Sequence, residues 1–236
     1  MLQAAARCFA LVPCAGVGAR AGSDGPKQYA RLAGRSVVGN TLHALLAVQR
    51  IDAVLVVLAP EDSQFEQHAP DFSGPRAWSA RCGGATRAAT VAAGLVQLRE
   101  RGVMDQDWVL VHDAARCLLR PAWVDRLIDA CLTDEVGGLL ALPLADTLKA
   151  ASGGRVAQTL QRVDKWLAQT PQMFRLKTLE EALARAAAMA AEVTDEASAV
   201  EALGLKPLLV PGAAENFKLT WPADFEMAAR LLETRR

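Results

Sequence analysis

The sequence predicts an α/β fold: a single domain built on a mostly parallel mixed sheet, with a β-arm projecting from it. Three observations carry this. Apolar runs of strand length alternate with segments of helical period from residue 8 to residue 142. The glycine-bearing and charged stretches of that region each follow directly on an apolar run, where the loops of a parallel sheet gather. A polar stretch at 145–169 then breaks the alternation around Ser152-Gly153-Gly154, a hairpin-turn signal.

At 236 residues and 52% hydrophobic content, the chain is long enough to bury one large core without staples. Lys plus Arg equals Asp plus Glu at 26 each, so no basic excess exists to neutralise a nucleic-acid backbone, and no nucleic-acid partner is expected. The five cysteines form an odd set with no Cys-x-x-Cys pair and only three His beside them. That argues against a zinc site or a disulfide framework and for a reducing compartment, with the thiols as small buried residues. The first ten residues lack the pattern of a signal peptide, and no window approaches the ~18 apolar residues a membrane helix needs. The expectation is a cytoplasmic protein with no membrane partner.

The elements follow in order. Residues 8–12 make a first strand, and 36–48 a helix with Val37, Val38, Leu42, Leu45 and Leu46 near helical spacing; 53–59 returns as a buried strand stopped by Pro60. Residues 78–82 form the next strand, followed from Thr86 by a helix whose Val91, Leu95 and Leu98 share a face. The run 108–112 is a strand, and Pro121 opens a helix striped by Trp123, Val124, Leu127, Ile128 and Cys131. Residues 138–142 are again a strand. In the arm, 145–169, two polar strands at 146–150 and 155–159 flank the turn. Such an arm is marginal alone and calls for a second surface, which makes a homodimer the economical inference. Helices at 176–191 and 195–203, a strand at 207–210 and a last helix opened by Pro222, with Phe225, Ala229 and Leu232 inward, complete the chain.

The stretch 12–29 is built to hold phosphates. Gly16 and Gly18 let backbone N–H groups approach an anion, and Arg20 and Lys27 supply fixed positive charge. Gly16, Gly18 and Ala21 also satisfy a dinucleotide fingerprint, but Gly22, Gly25 and Pro26 interrupt the helix that fingerprint requires, and no strand ending in an acid follows about 20 residues on. His112-Asp113-Ala114-Ala115-Arg116 ends a strand, where Asp113 suits a divalent metal and Arg116 a phosphate; simple capping by Asp113 is the alternative. Cys82-Gly83-Gly84-Ala85-Thr86-Arg87, with Thr90, is a second glycine turn at a helix start, able to face a flat ligand or to be a βα turn capped by Thr86.

The first loop, with Gly-x-Gly-x-Arg followed by Pro-Lys-Gln-Tyr, resembles the nucleotidyltransferase signature and, more narrowly, the 2-C-methyl-D-erythritol 4-phosphate cytidylyltransferase family. The segments Asp146-Thr147-Leu148-Lys149, Arg162, Thr170-Pro171-Gln172, Thr194-Asp195-Glu196-Ala197-Ser198 and Asn216-Phe217-Lys218-Leu219-Thr220 continue that family's pattern in its order. The resemblance implies a single Rossmann-like nucleotidyltransferase domain over 1–236, homodimeric through its arm. It implies transfer of CMP from CTP to methylerythritol phosphate with release of pyrophosphate. It places cytosine near Cys14, Ala15, Gly83, Gly84 and Thr90, and the triphosphate on Gly16, Gly18, Arg20 and Lys27. It gives Mg²⁺ to Asp113 and the growing charge at the α-phosphate to Lys27 and Lys218. Arg116, Thr170 and Thr194 bind the acceptor, with Thr147 and Arg162 reaching the partner subunit's site from the arm. The chain departs from the family pattern at Cys14, Thr86, Cys117 and Gln161, none of which removes a charged catalytic group. Two readings stand beside this one: a cytidylyltransferase for another polyol phosphate such as ribitol 5-phosphate, and a non-catalytic CTP-binding protein.

Overall fold

The computed structural model describes residues 6–16 and 26–235. In chain order these form β1 (Cys8–Pro13), a 3-10 turn (Lys27–Tyr29), β2 (Arg31–Leu32), β3 (Arg35–Ser36), α1 (Val37–Leu46), β4 (Ala53–Val57), α2 (Phe65–His68), β5 (Ala77–Ala80), α3 (Arg87–Glu100), β6 (Trp108–Val111), α4 (Pro121–Leu132), β7 (Gly137–Pro143), β8 (Leu148–Ser152), β9 (Arg155–Leu160), β10 (Trp166–Arg175), α5 (Leu176–Ala188), α6 (Glu196–Glu201), β11 (Leu208–Pro211) and α7 (Pro222–Glu233).

The main sheet runs β11-β7-β10-β6-β1-β4-β5. β1 pairs in parallel with β4 and β6, β4 with β5 and β7 with β11, whereas β10 is antiparallel to both of its neighbours. β1 is apolar along its whole length because both of its faces are covered: Ala10 and Val12 join a core with α1 and α4, while Phe9 and Leu11 join one with α3, α5 and α6. A third cluster packs α7 against the β2–β3 hairpin through Leu32, Leu118, Leu219 and Ala228.

Local chemistry fixes the helix starts that border the site. Ser36 accepts from Gly39 N at 2.9 Å to open α1, and Thr86 accepts from Ala89 N at 3.1 Å to open α3. Asp195 and Ser198 close a capping box on α6. Pro121 and Pro222 occupy the first turns of α4 and α7, where no N–H is needed.

The predicted strands and helices of 8–142 are present, with ends moved by at most two residues, and the arm turns at Gly153 and Gly154, both at positive φ. The sequence reading missed β10. It assigned 166–169 to the arm and left 170–175 without a strand, whereas from Trp166 onward the chain lies in the centre of the sheet. Pro171 and the polar Gln169 and Gln172 hid it, since proline removes a ladder donor and these residues read as loop. The structure accommodates them at a register irregularity between Ala168 and Gln172, where the polar side chains are buried and hydrogen-bonded.

Candidate active site

Two cavities open at the carboxyl ends of the parallel strands. The larger, about 350 Å³, is walled by Cys14, Ala15, Gly16, Lys27, Gln28, the turn Gly84–Arg87, Thr90, Asp113 and Lys218. The second, about 260 Å³, is walled by Arg116, Gln169, Thr170, Gln172, Thr194 and Asp195, and shares Arg87, Asp113 and Lys218 with the first. The shared wall is therefore charged and common to both.

Asp113 stands two residues beyond the end of β6. Its Oδ1 accepts from Arg87 Nε at 2.9 Å and its Oδ2 pairs with Lys218 Nζ at 2.9 Å, with Arg116 Nε at 3.7 Å. Burial alone would push this carboxyl up, but Arg87, Lys218 and Arg116 outweigh it and hold the group well below the usual carboxylate range. Asp113 N donates to Thr170 Oγ1 at 3.1 Å, and that oxygen lies 3.1 Å from His112 Nδ1. The other ring nitrogen, Nε2, faces the Arg116 carbonyl at 3.1 Å. A carbonyl only accepts, so Nε2 carries the proton and Nδ1 accepts the threonine hydroxyl. Burial lowers the His112 pKa to about 4, in keeping with this neutral ring.

The first loop is tied down at both described ends. Gln28 Nε2 donates to Gly16 O at 2.9 Å, and Lys27 Nζ donates to Leu219 O at 2.9 Å, which brings the loop lysine to the segment carrying Lys218. Gly83 lies behind the cavity wall: a Cβ there would stand 2.4 Å from Ala15 Cβ and 2.7 Å from Leu58 O, so only glycine lets the two glycine turns touch. Thr90 is buried, and its hydroxyl donates to Thr86 O at 2.9 Å and accepts from Gly84 N at 3.2 Å, which shapes the turn. Thr86 caps α3 while lining the cavity, so the capping and site readings coexist.

Of the sequence-predicted residues, Cys14, Ala15, Gly16, Lys27, Gly84, Thr90, Asp113 and Lys218 meet at the first cavity, and Arg116, Thr170 and Thr194 at the second. Thr147 and Arg162 line neither; Arg162 donates to the Ala145 carbonyl at the base of the arm. Gly18 and Arg20 lie outside the described residues. The sequence reading gave no role to Arg87 and Glu196, whose fork-to-carboxylate pair spans 109 residues of chain, nor to Gln28, Gln172 and Asn216. Burial pushes the Cys8 thiol up to about 11 and those of Cys117 and Cys131 up to about 12, as for thiols packed as small core side chains.

Among the described residues, Asp113 is the one carboxylate lining the larger cavity, and no cluster of three or more acidic, His or Cys side chains is present. A lone hard oxygen donor in a cavity also lined by Lys27, Arg87 and Lys218 is a donor set that Mg²⁺ can use, since that ion needs only one or two carboxylates from a protein. The Oδ2 partner, Lys218, is 41% exposed on a flexible stem and can yield that oxygen.

The sequence model of the family IspD, 2-C-methyl-D-erythritol 4-phosphate cytidylyltransferase, matches residues 8–234. The chain is 59% identical over 229 residues to the bifunctional enzyme IspD/IspF of Albidiferax ferrireducens, covering 97% of this chain and 54% of that protein, so it spans about half of that relative. It is 56% identical over 230 residues to the 2-C-methyl-D-erythritol 4-phosphate cytidylyltransferase of Laribacter hongkongensis, covering 96% of each. A crystal structure of 4-diphosphocytidyl-2C-methyl-D-erythritol synthase superposes with a TM-score of 0.85 at 40% identity, over 96% of this chain and 98% of that one. By its family model, its relatives and its fold, the chain belongs to the 2-C-methyl-D-erythritol 4-phosphate cytidylyltransferase family.

Proposed function

We propose that the chain transfers the CMP moiety of CTP to 2-C-methyl-D-erythritol 4-phosphate, forming 4-diphosphocytidyl-2-C-methyl-D-erythritol and pyrophosphate on the non-mevalonate route to isoprenoid precursors. The observation that carries this is the shared wall: Arg87, Asp113 and Lys218 border both a nucleotide-sized cavity and a second one lined by polar side chains. Two phosphorylated substrates seated on either side would bring an attacking phosphate oxygen to the α-phosphorus of CTP.

The flat base sits against Ala15, Gly84 and the α3 turn, where close glycine packing leaves room for a ring. Lys27, and Arg20 outside the described residues, hold the triphosphate. An acceptor phosphate oxygen forms the new bond to the α-phosphorus as the bond to the β-phosphate oxygen breaks, and the electron pair leaves with pyrophosphate. The acceptor phosphate is already ionised, so the protein's work is positioning and charge neutralisation. Lys218 moves from Asp113 to the phosphate, and with Lys27 it stabilises the charge that grows on the α-phosphate oxygens. Arg116, Thr170 and Thr194 frame the acceptor. Asp113 would hold Mg²⁺, which when bound would supply neutralisation of the negative charge on the triphosphate.

The arm gives the proposed dimer its role. β8 and β9 project with Val156 and Val163 exposed, and Thr147 and Arg162 lie away from both cavities of their own subunit. Docked on a second copy, they complete its acceptor site. Among the described residues no helix is long and apolar enough to cross a membrane, and we place the protein in the cytoplasm.

The test is pyrophosphate release with Mg²⁺ and CTP, offering methylerythritol phosphate and ribitol 5-phosphate in parallel. Release with the first alone is the expected result. Release with ribitol 5-phosphate alone would overturn the acceptor assignment, and CTP binding without release from either would favour a non-catalytic nucleotide-binding role.

A further inference from the structure

Glu196, the first residue of α6, is wholly buried. Its Oε1 accepts from Arg87 Nη1 at 2.6 Å and its Oε2 from Arg87 Nη2 at 2.9 Å, while the third nitrogen of that guanidinium, Nε, donates to Asp113 Oδ1 at 2.9 Å. Both Glu196 oxygens accept N–H groups, which marks the carboxyl as ionised. One arginine is thus divided between two acids, with its fork on Glu196 and a single bond on Asp113.

A buried ion pair is a weak device for stability, since apolar side chains of similar volume commonly serve as well. The arginine of this pair stands in the wall common to both cavities, and Glu196, which lines neither, holds it there from behind. A guanidinium fork matches a carboxylate bidentately, whereas lysine binds as a point charge. An Arg87 released from Glu196 would turn its fork onto both oxygens of Asp113 and displace Lys218 from Oδ2. Glu196 itself cannot drift. Its helix start is pinned by Gln172, whose Oε1 accepts from Ala197 N at 2.7 Å and whose Nε2 donates to Asp195 Oδ2 at 2.8 Å.

Resting on the roles given above to Asp113 and Lys218, we infer that Glu196 is a positioning residue: by holding the Arg87 fork, it leaves the outer oxygen of Asp113 to Lys218 and sets where that ammonium stands when the triphosphate arrives. Arg87 and Glu196 act through their neighbours and need not touch substrate.

Three variants of the full chain test this. Glu196→Gln removes the charge, Glu196→Asp withdraws it by one methylene, and the double variant R87M/E196L replaces the pair by apolar side chains. The first readout needs no turnover: acetylation of Lys218 by an N-hydroxysuccinimide ester, followed by peptide mass spectrometry, with exposed Lys177 as internal standard. Lys218 should react faster in Glu196→Gln, less so in Glu196→Asp, and at the wild-type rate in the double variant, where no fork remains to displace it. The second readout is pyrophosphate release, with kcat of Glu196→Gln lowered about tenfold or more and the KM for CTP changed by less than about threefold. If circular dichroism shows Glu196→Gln unfolded, the contrast between Glu196→Asp and the double variant decides alone. Wild-type acetylation in both single variants overturns the inference, as does an equal rise in all three, which would mean general loosening. The expected labelling pattern in a wild-type protein that releases no pyrophosphate would instead refute the functional reading and leave the positional one standing.

Discussion

Asp113 shows how one buried carboxylate organises charge. Its oxygens are held by three cations, Arg87 at the start of α3 and Arg116 and Lys218 from loops, so its ionised form is fixed. Lys27, anchored by the Leu219 carbonyl beside Lys218, is the residue to which we assign the most direct proposed task at the triphosphate. Lys27→Ala is expected to lower kcat by about two orders of magnitude or more with an unchanged circular dichroism spectrum; near-normal turnover would contradict its role. His112 supplies a pH signature. Its folded pKa is depressed from 6.5 to about 4, so below pH 6.5 the unfolded chain takes a proton that the folded chain refuses. Stability attributable to this group is therefore lost as pH falls across that window, by about 2 kcal/mol between pH 7 and pH 5. Urea unfolding at the two pH values should show this loss in the wild type and a smaller one in His112→Gln; equal losses would refute it. Asp113 was legible in the sequence because it directly follows an apolar run, Lys27 because it ends a glycine-rich stretch, and Lys218 through the family resemblance alone. The roles of Thr90 and Thr170 were only partly legible, since a hydroxyl's partner is set by the fold: Thr90 ties its own turn and Thr170 holds Asp113 and His112.

At the scale of elements, the parallel strands declared themselves through apolar runs buried on both faces, and the helices through capping residues and stripes. β10 did not, because a strand carrying proline and buried glutamines violates the local pattern, and its polar groups are satisfied only by distant partners such as Ala213 O and Asp195. The same strand explains why the second cavity is polar: Gln169, Thr170 and Gln172 face it from the irregular stretch. The two glycine turns are coupled by contact at Gly83. Gly83→Ala is expected to destabilise the fold by about 1–3 kcal/mol and to weaken CTP binding, since its Cβ must push the first loop aside. Calorimetric titration with CTP that matches the wild type would refute that coupling. For the arm, replacing residues 146–164 by a short glycine linker should yield a monomer in sedimentation that still binds CTP, with acceptor-dependent turnover reduced more than about tenfold. A dimer with full turnover would remove the arm from the account.

Taken whole, the molecule carries no net charge, yet its site gathers Arg87, Arg116, Lys27 and Lys218 around Asp113, with Asp195 on the second cavity and Glu196 behind Arg87. A neutral protein can present a positive site because burial and convergence, not composition, set the local field. That convergence joins segments from the loop at Lys27 to the one at Lys218, and the sequence showed the segments but not the pair that locks them, Arg87 with Glu196. A buried charge pair leaves no periodic trace in either of its segments. The central claim is that the two cavities bring an acceptor phosphate to the α-phosphorus of CTP across the Asp113 wall. It is tested most directly by supplying methylerythritol phosphate with ¹⁸O in its phosphate group and following the reaction by ³¹P spectroscopy and mass spectrometry. The account requires all of the label in the cytidine diphospho-alcohol and none in the pyrophosphate. Free CMP, with the label in a product that lacks cytidine, would place the attack on another phosphorus and contradict it.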